Sequence, residues 1–339
     1  MIMHSLTAEK RQKLGNIQSL RAFAAAGVIL FHIVANARIH GVHINIFSPF
    51  GTFGNMGVDV FFVISGFVMA ESQHRAPSST TRFLARRLLR IVPLYWVLTL
   101  LYWALGSIAP QLFPNLHLDT DWLFASLFFL SGGLGFGSPI LGQGWTLEFE
   151  MLFYLIFSMS LFLKRKSYQY SAIFFLTIFL VTMLGASSMI IEFSMGVIAN
   201  LTFTRIRKHR NLGMGLVIVG VVIFFLIQNY FPGHPNRVIG YGIPSYFLVS
   251  GLALVKQTKN KLMLKLGASS YSAYLFQFFV IPFLFKLVDL MSLRNIYGDL
   301  LVVLIAFLTI YSGHVIYRIL EEPLTKTIKS LVNSKNGAI

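Results

Sequence analysis

Two ionisable residues stand inside the first long apolar stretch of the chain, IQSLRAFAAAGVILFHIVAN at positions 17–36, and their spacing is what suggests chemistry. Arg21 and His32 are eleven positions apart. On an α-helix, eleven steps return to within roughly 20° of the same face and rise about 16 Å along the axis. An ionisable side chain at membrane depth costs a few kcal/mol or more unless it faces a protein interior or a wet cavity, so this stripe should face a site. Taken by itself, His32 is equally explained as a polar contact between helices.

Carboxylates occur at a similar depth in two later apolar stretches. Asp59 lies in GVDVFFVISGFVMAE, and Glu148 and Glu150 lie in GWTLEFEMLFYLIF. An imidazole oriented by a carboxylate can act as a base toward a hydroxyl, and that is the chemistry His32, Glu150 and Asp59 would share. Glu150, Phe153, Tyr154 and Phe157 follow helical spacing, whereas Glu148 points about 200° away from Glu150, where a carboxylate near a helix N-terminus also suits the dipole. Asp59 has other options: an ion pair with Arg38, or the cap of its own helix.

A third group is cationic. Arg82, Arg86, Arg87 and Arg90 fall on an arc of about 140° if helical, just before Pro93 and LYWVLTLLYW. Arginines in such a row anchor against anionic lipid headgroups or clamp the phosphates of a ligand, since guanidinium binds phosphate bidentately. Arg21 falls at the same membrane face as this row. Phosphates at one end and a His–carboxylate centre about 16 Å deeper fit an elongated ligand, and acyl-coenzyme A, a phospholipid and an isoprenoid phosphate all have that form.

The elements that must position these residues are apolar helices. Of 339 residues, 55% are hydrophobic and only 12% charged, with a mean hydropathy of +0.70, against about a quarter charged in an ordinary soluble chain. The expectation is an all-α, polytopic transmembrane helical bundle. Candidate spans are about 17–37, 56–73, 88–107, 145–163, 168–185, 187–204, 212–230, 240–255, 267–288 and 299–320, about ten in all. The apolar segment Trp122–Leu130 is too short to cross and reads as a re-entrant or outer-surface element between spans three and four. The glycine-rich GGLGFGSPILGQG follows it as a lid over the site. The first apolar segment, preceded by Lys10, Arg11 and Lys13, reads as a retained span rather than a cleaved signal. One domain over 1–332 with a frayed tail at 333–339 accounts for the chain. The absence of cysteine removes disulfides, thiolate metal sites and catalytic thiols.

The net charge of +16 follows the loops rather than marking a nucleic-acid surface. Basic clusters lie at the N-terminus, at Arg75–Arg90, Lys164–Lys166, Arg205–Arg210, Lys256–Lys265 and Arg318–Lys335, while only Arg38, Arg237, Lys286 and Arg294 fall in the alternate connections. The positive-inside rule then places both termini in the cytoplasm.

IQSLRAFAAAGVILFH, GVDVFFVISGF, RFLARRLLRIVPLYW and GWTLEFEMLFY together resemble the acyltransferase family 3 integral membrane proteins, most closely their exopolysaccharide and O-antigen acetyltransferase branch. The family's arginine and histidine of the first helix fall on Arg21 and His32, its basic run on Arg82–Trp96, and its aromatic and acidic pattern on Trp145, Glu150, Phe153 and Tyr154. LGASSYSAYLFQ and YRILEEPL match its closing features, but Gln277 stands where many members carry a histidine. The resemblance implies transfer of an acyl group, usually acetyl, from cytosolic acyl-CoA to a carbohydrate or lipid-linked glycan hydroxyl, without metal, in a bacterial-type inner membrane. His32 would be the base, Glu150 or Asp59 its orienting partner, and Arg21, Arg82, Arg86, Arg87 and Arg90 the donor clamp, with Trp145 and Tyr154 toward the substrate. A homo-oligomer is compatible with it.

A secondary transporter would also have many spans, glycine-broken segments and buried ionisable groups, and covalent labelling of glycan separates it from an acyltransferase. A structural membrane subunit leaves Arg21, His32 and Glu150 unexplained. Orientation is directly testable, because the chain has no cysteine of its own. A cysteine at Ser167 should be protected from an impermeant reagent in intact cells, and its labelling from outside would reverse the assigned topology.

Overall fold

The computed structural model describes residues 14–113, 116–230, 236–293 and 297–328. Lys10, Arg11, Lys13, Arg294 and the stretch 333–339, to which the sequence reading assigned roles, lie outside these residues. The described residues are helical, with no strand among them. The α-helices of eight residues or more are α1 (Gly15–Ile39), α2 (Met56–Arg75), α3 (Thr80–Ile108), α4 (Thr120–Leu127), α5 (Trp145–Ser160), α6 (Lys166–Met183), α7 (Ile190–Ile206), α8 (Asn211–Tyr230), α9 (Ile243–Leu254), α10 (Lys261–Ala268), α11 (Ser270–Leu290) and α12 (Gly298–Ile316). Each of the ten apolar runs is met by a helix. Six are long and apolar enough to cross a membrane: α1, α2, α3, α8, α11, and α12 with its extension to Ile328. The runs at α5, α6, α7 and α9 are helical but shorter or more polar. The short run near 122–130 is the eight-residue α4, started by Asp119, whose Oδ1 accepts from the Asp121 N–H at 2.8 Å.

The chain divides into two compact units, each discontinuous in sequence. Unit 1 comprises residues up to Ala24, Met56–Thr80 and Ile156–Ala268, and unit 2 comprises Ala25–Asn55, Thr81–Leu155 and Ser269 onward.

In unit 1, α2 packs along α7 and α8 along α9. The α2–α7 contact is set by two glycines. A Cβ on Gly66 would sit 1.9 Å from the Phe193 carbonyl oxygen, and one on Gly196 2.1 Å from that of Val63, so the backbones touch as only small residues allow. Val63, Phe67 and Ala199 are buried around this contact. The start of α1 is tied in through Asn16, whose Nδ2 donates to the Leu252 and Lys256 carbonyls while its Oδ1 accepts from the Thr258 N–H.

Unit 1 also settles the position of Asp59, which is wholly buried in the first turn of α2. Arg237 donates to both of its oxygens, Nε to Oδ1 at 3.0 Å and Nη2 to Oδ2 at 2.6 Å. The charged partner is therefore Arg237 and not Arg38, one of the alternatives the sequence left open. Arg237 reaches Asp59 from the start of a widened π-helical turn, Val238–Gly242, and its guanidinium lies over the Tyr241 ring at 5.4 Å. Glu192 of α7, also wholly buried, lies beside the pair.

In unit 2, α11 packs along α12, and a Cβ on Gly313 would come 2.4 Å from the Ala273 Cα. Ile29, Ile33 and Ala37 of α1 join Ile281, Phe285, Val302 and Ile305 in its core. Near the end of α1, His40 Nδ1 and Asp289 Oδ2 are 2.5 Å apart, and Asp299 accepts the Asn45 and Phe47 N–H groups. Large side chains such as Phe175, Phe225, Phe283 and Phe307 remain more than half exposed on the helix surfaces, where a bilayer would cover them.

The Asp59–Arg237 pair yields a stability prediction, because removing one member strands a buried charge whereas removing both does not. Asp59→Leu should cost up to about 3–5 kcal/mol, and Asp59→Leu with Arg237→Met distinctly less, in denaturant unfolding of the detergent-purified protein. Additive losses would show that the pair is not coupled.

Candidate functional site

The arginine row is helical as expected, on the first half of α3, and its members divide by face. Arg82 and Arg86 are exposed, while Arg87 and Arg90 are half-buried. Arg87 lies over the Phe83 ring at 5.4 Å. Pro93 inside α3 takes one N–H out of the helical ladder just after the row.

Glu150, from α5, meets this row in unit 2. Its Oε1 accepts a 2.5 Å hydrogen bond from Tyr154 Oη, one helical turn on. Arg87 interacts electrostatically with Tyr154 and Glu150, and Tyr154 in turn with Arg87 and Arg90. The carboxylate expected near the imidazole thus stands beside the cations expected at the phosphates. Tyr154, expected to contact substrate, is only 1% exposed, with its hydroxyl on Glu150. Trp145 is half-buried at the start of α5, with its ring edge-on to Phe149 at 6.0 Å.

The same neighbourhood draws in residues that the motif reading left without roles. Tyr271 of α11 donates to the Ile91 carbonyl at 2.8 Å and interacts electrostatically with Glu150, Tyr154 and Glu321. Glu321, at the end of a second π-helical turn, Tyr317–Glu321, accepts from Ser272 Oγ at 2.5 Å. The closing motifs LGASSYSAYLFQ and YRILEEPL are therefore joined by a hydrogen bond. Gln277 is 1% exposed, and its Nε2 donates to the Tyr274 carbonyl.

His32 is half-buried on α1, with its ring edge-on to Phe31 at 5.2 Å and its carbonyl accepting from Asn36 Nδ2. Among the described residues its imidazole makes no hydrogen bond to another side chain. Helix α1 is continuous from Gly15 to Ile39, as a shared stripe of Arg21 and His32 requires. Arg21 and Asp59 belong to unit 1, whereas His32, the α3 arginines, Trp145, Glu150 and Tyr154 belong to unit 2. Within unit 1, both oxygens of Asp59 accept from Arg237.

Glu148 is more than an interfacial acid. Its Oε1 accepts from the Ser131 N–H at 2.9 Å and its Oε2 from the Gly132 N–H at 3.1 Å. The glycine-rich segment is also fastened by Ile140 N–H to Ser126 Oγ and by Trp122 Nε1 to the Ser138 carbonyl. Tyr95 Oη donates to the Ser126 carbonyl, tying α4 to α3. The glycine-rich segment expected as a lid is thus fastened at both of its ends.

Glu192, Glu71 and Glu321 escaped the sequence reading as single residues. The rule applied to Asp59, that an acid inside an apolar run needs a partner, would have flagged Glu192 as well. Glu71 accepts from Arg75 Nε at 2.5 Å and from Asn200 Nδ2 at 2.7 Å in unit 1. A cavity of about 120 Å³ bordered by Gln73, His74, Lys166 and Tyr170 lies in the same unit and touches none of the expected site residues. Among the described residues, no group of three or more His, Asp or Glu is placed to hold a metal ion.

Comparison with known proteins adds the family. The exopolysaccharide production protein ExoZ of Rhizobium meliloti is 50% identical over 118 residues, covering 34% of this chain and 37% of that protein. The acyltransferase MdmB of Streptomyces mycarofaciens is 32% identical over 170 residues, covering 45% of this chain and 41% of that protein. The O-acetyltransferase OatA of Staphylococcus aureus is 24% identical over 368 residues, covering 92% of this chain and 57% of that protein. The chain thus spans less than two thirds of the length of these relatives. No solved structure is a significant match. The family model described as an acyltransferase domain matches residues 14–318, nearly everything the structure describes, and by that extent the chain belongs to acyltransferase family 3.

Proposed function

We propose that the chain is a membrane O-acyltransferase that moves an acyl group, acetyl foremost, from cytosolic acyl-CoA to a hydroxyl of a cell-surface or exported carbohydrate. The observation that carries this reading is the meeting of the α3 arginines with Glu150 and Tyr154 in one unit of an acyltransferase-family chain. The names of two relatives, an exopolysaccharide production protein and an O-acetyltransferase, favour carbohydrate and acetyl.

In this reading Arg82 and Arg86, at the exposed end of the row, take the phosphates of the donor, and Arg87 and Arg90 continue the clamp inward. Guanidinium–phosphate bonds are charge-assisted and hold the donor by the part that does not react. Glu150, fixed by Tyr154, keeps the inner arginines in place and supplies the carboxylate of the centre. His32 removes the proton from the acceptor hydroxyl as its oxygen attacks the thioester carbonyl. The C–O bond forms, the C–S bond breaks, and the imidazolium returns the proton to the departing thiolate. A two-step route through an acyl-histidine uses the same groups. Trp145 flanks the substrate. The ten apolar helical segments are read as ten spans of a single acyltransferase domain, with both termini on the cytoplasmic side of a bacterial inner membrane.

The test supplies radiolabelled acetyl-CoA to membranes that contain the protein. Covalent label in the polysaccharide fraction is expected; label that only crosses the membrane unattached would instead mark a transporter. His32→Ala should lower turnover about 10²–10⁴-fold with donor binding unchanged. Arg86→Ala and Arg90→Ala should each weaken acyl-CoA binding by about 1.5–3 kcal/mol, with lysine restoring part. Near-parental turnover in His32→Ala would remove His32 from the centre.

A further inference from the structure

We infer that Glu148 is a positioning residue for the carbohydrate acceptor: its carboxylate fixes the glycine-rich rim at 132–138 as a preformed surface on which the acceptor docks. This rests on the acyltransferase reading, and it assigns a role to an acid that points away from Glu150 on α5.

The geometry is that of a clamp. Two successive backbone N–H groups, of Ser131 and Gly132, converge on the two oxygens of one carboxylate, at 2.9 and 3.1 Å. Such charge-assisted pairs are shorter and stronger than neutral ones. Ser131 is wholly buried, so without Glu148 its N–H would be left unsatisfied in the interior, whereas Gly132 would open to solvent. The clamp also occurs where the chain leaves helical geometry: Phe129 has φ 61° with its ring stacked on Tyr95 at 4.8 Å.

What the clamp holds is suited to a hydroxylated ligand. Residues 132–138 are all exposed, including Phe136. Gly135 and Gly137 have φ of 84° and 76°, and space in front of both is open for 4 Å, so their peptide groups can be approached closely. Fixed peptide donors and acceptors beside an aromatic ring are what a sugar, with its hydroxyls and apolar ring faces, can use. Because the Ser131 carbonyl accepts from the Phe136 N–H at 3.0 Å, the clamped residue also sets the position of that ring. Holding these groups in place before binding removes an ordering cost from acceptor association.

The experiment uses the full chain in membranes, with radiolabelled acetyl-CoA as donor and chemically O-deacetylated surface polysaccharide from the parent cells as the acceptor probe. Glu148→Ala should raise KM for the polysaccharide about tenfold or more, leaving kcat at saturating acceptor and acyl-CoA binding near parental. Glu148→Gln, which keeps one acceptor oxygen, should lie between. Amide hydrogen exchange at Ser131 and Gly132 should accelerate in Glu148→Ala while that of α3 and α11 does not. That measurement needs no turnover, so it stands if the acyltransferase reading itself fails. Unchanged exchange would overturn the clamp. Accelerated exchange with a parental KM for polysaccharide, or a fall in kcat alone, would overturn the docking role.

Discussion

A carboxylate carried into an apolar bundle has to bring a counter-charge or a set of donors with it, since the attraction must offset several kcal/mol of lost hydration for each ion. The structure meets this constraint separately in its two units. Asp59 receives Nε and Nη2 of Arg237 in unit 1, and Glu150 receives the Tyr154 hydroxyl with Arg87 nearby in unit 2. The Asp59–Arg237 pair joins elements 178 positions apart, so it ties segments together as well as neutralising charge, whereas the Glu150–Tyr154 bond lies within one helix. Close glycine contacts, Gly66 against Gly196 and Gly313 against Ala273, then bring the backbones together around them.

The proposed chemistry follows from how the two halves of the unit 2 site differ. The outer arginines are exposed and able to bind a mobile anion, whereas the inner ones are half-buried against an acid already fixed by a neighbour. The base proposed for the reaction, His32, has an imidazole with no hydrogen-bonded side-chain partner among the described residues and its ring edge-on to Phe31.

Much of this was legible in the sequence because it depends on local spacing. Apolar runs of the right length became helices at each of the ten places, the short run near 122–130 stayed short, and the arginines before Pro93 fell on one helix. Partners were not legible, because no periodicity links residues that meet only through packing. Asp59 and Arg237 are 178 positions apart and His40 and Asp289 are 249, so the sequence could offer Arg38 to Asp59 only by proximity along the chain. The glycine-rich segment misled for a related reason. Its composition reads as a lid, but the Glu148 carboxylate and the Ser126 hydroxyl supply anchors that composition does not show.

The widened turn at Val238–Gly242 fixes something besides the place of Arg237. A π-helical turn accommodates one residue more than regular α-helix and is kept when closing it would cost a needed orientation. Removing a single residue there would let the turn relax to α geometry. The preceding segment would then rotate by about 100° and shift by about 1.5 Å relative to Ile243–Leu254. Arg237 would leave the direction of Asp59 although no contacting side chain had been altered. At this place the number of residues matters in its own right, so point substitutions and one-residue deletions should differ sharply in how well the fold absorbs them.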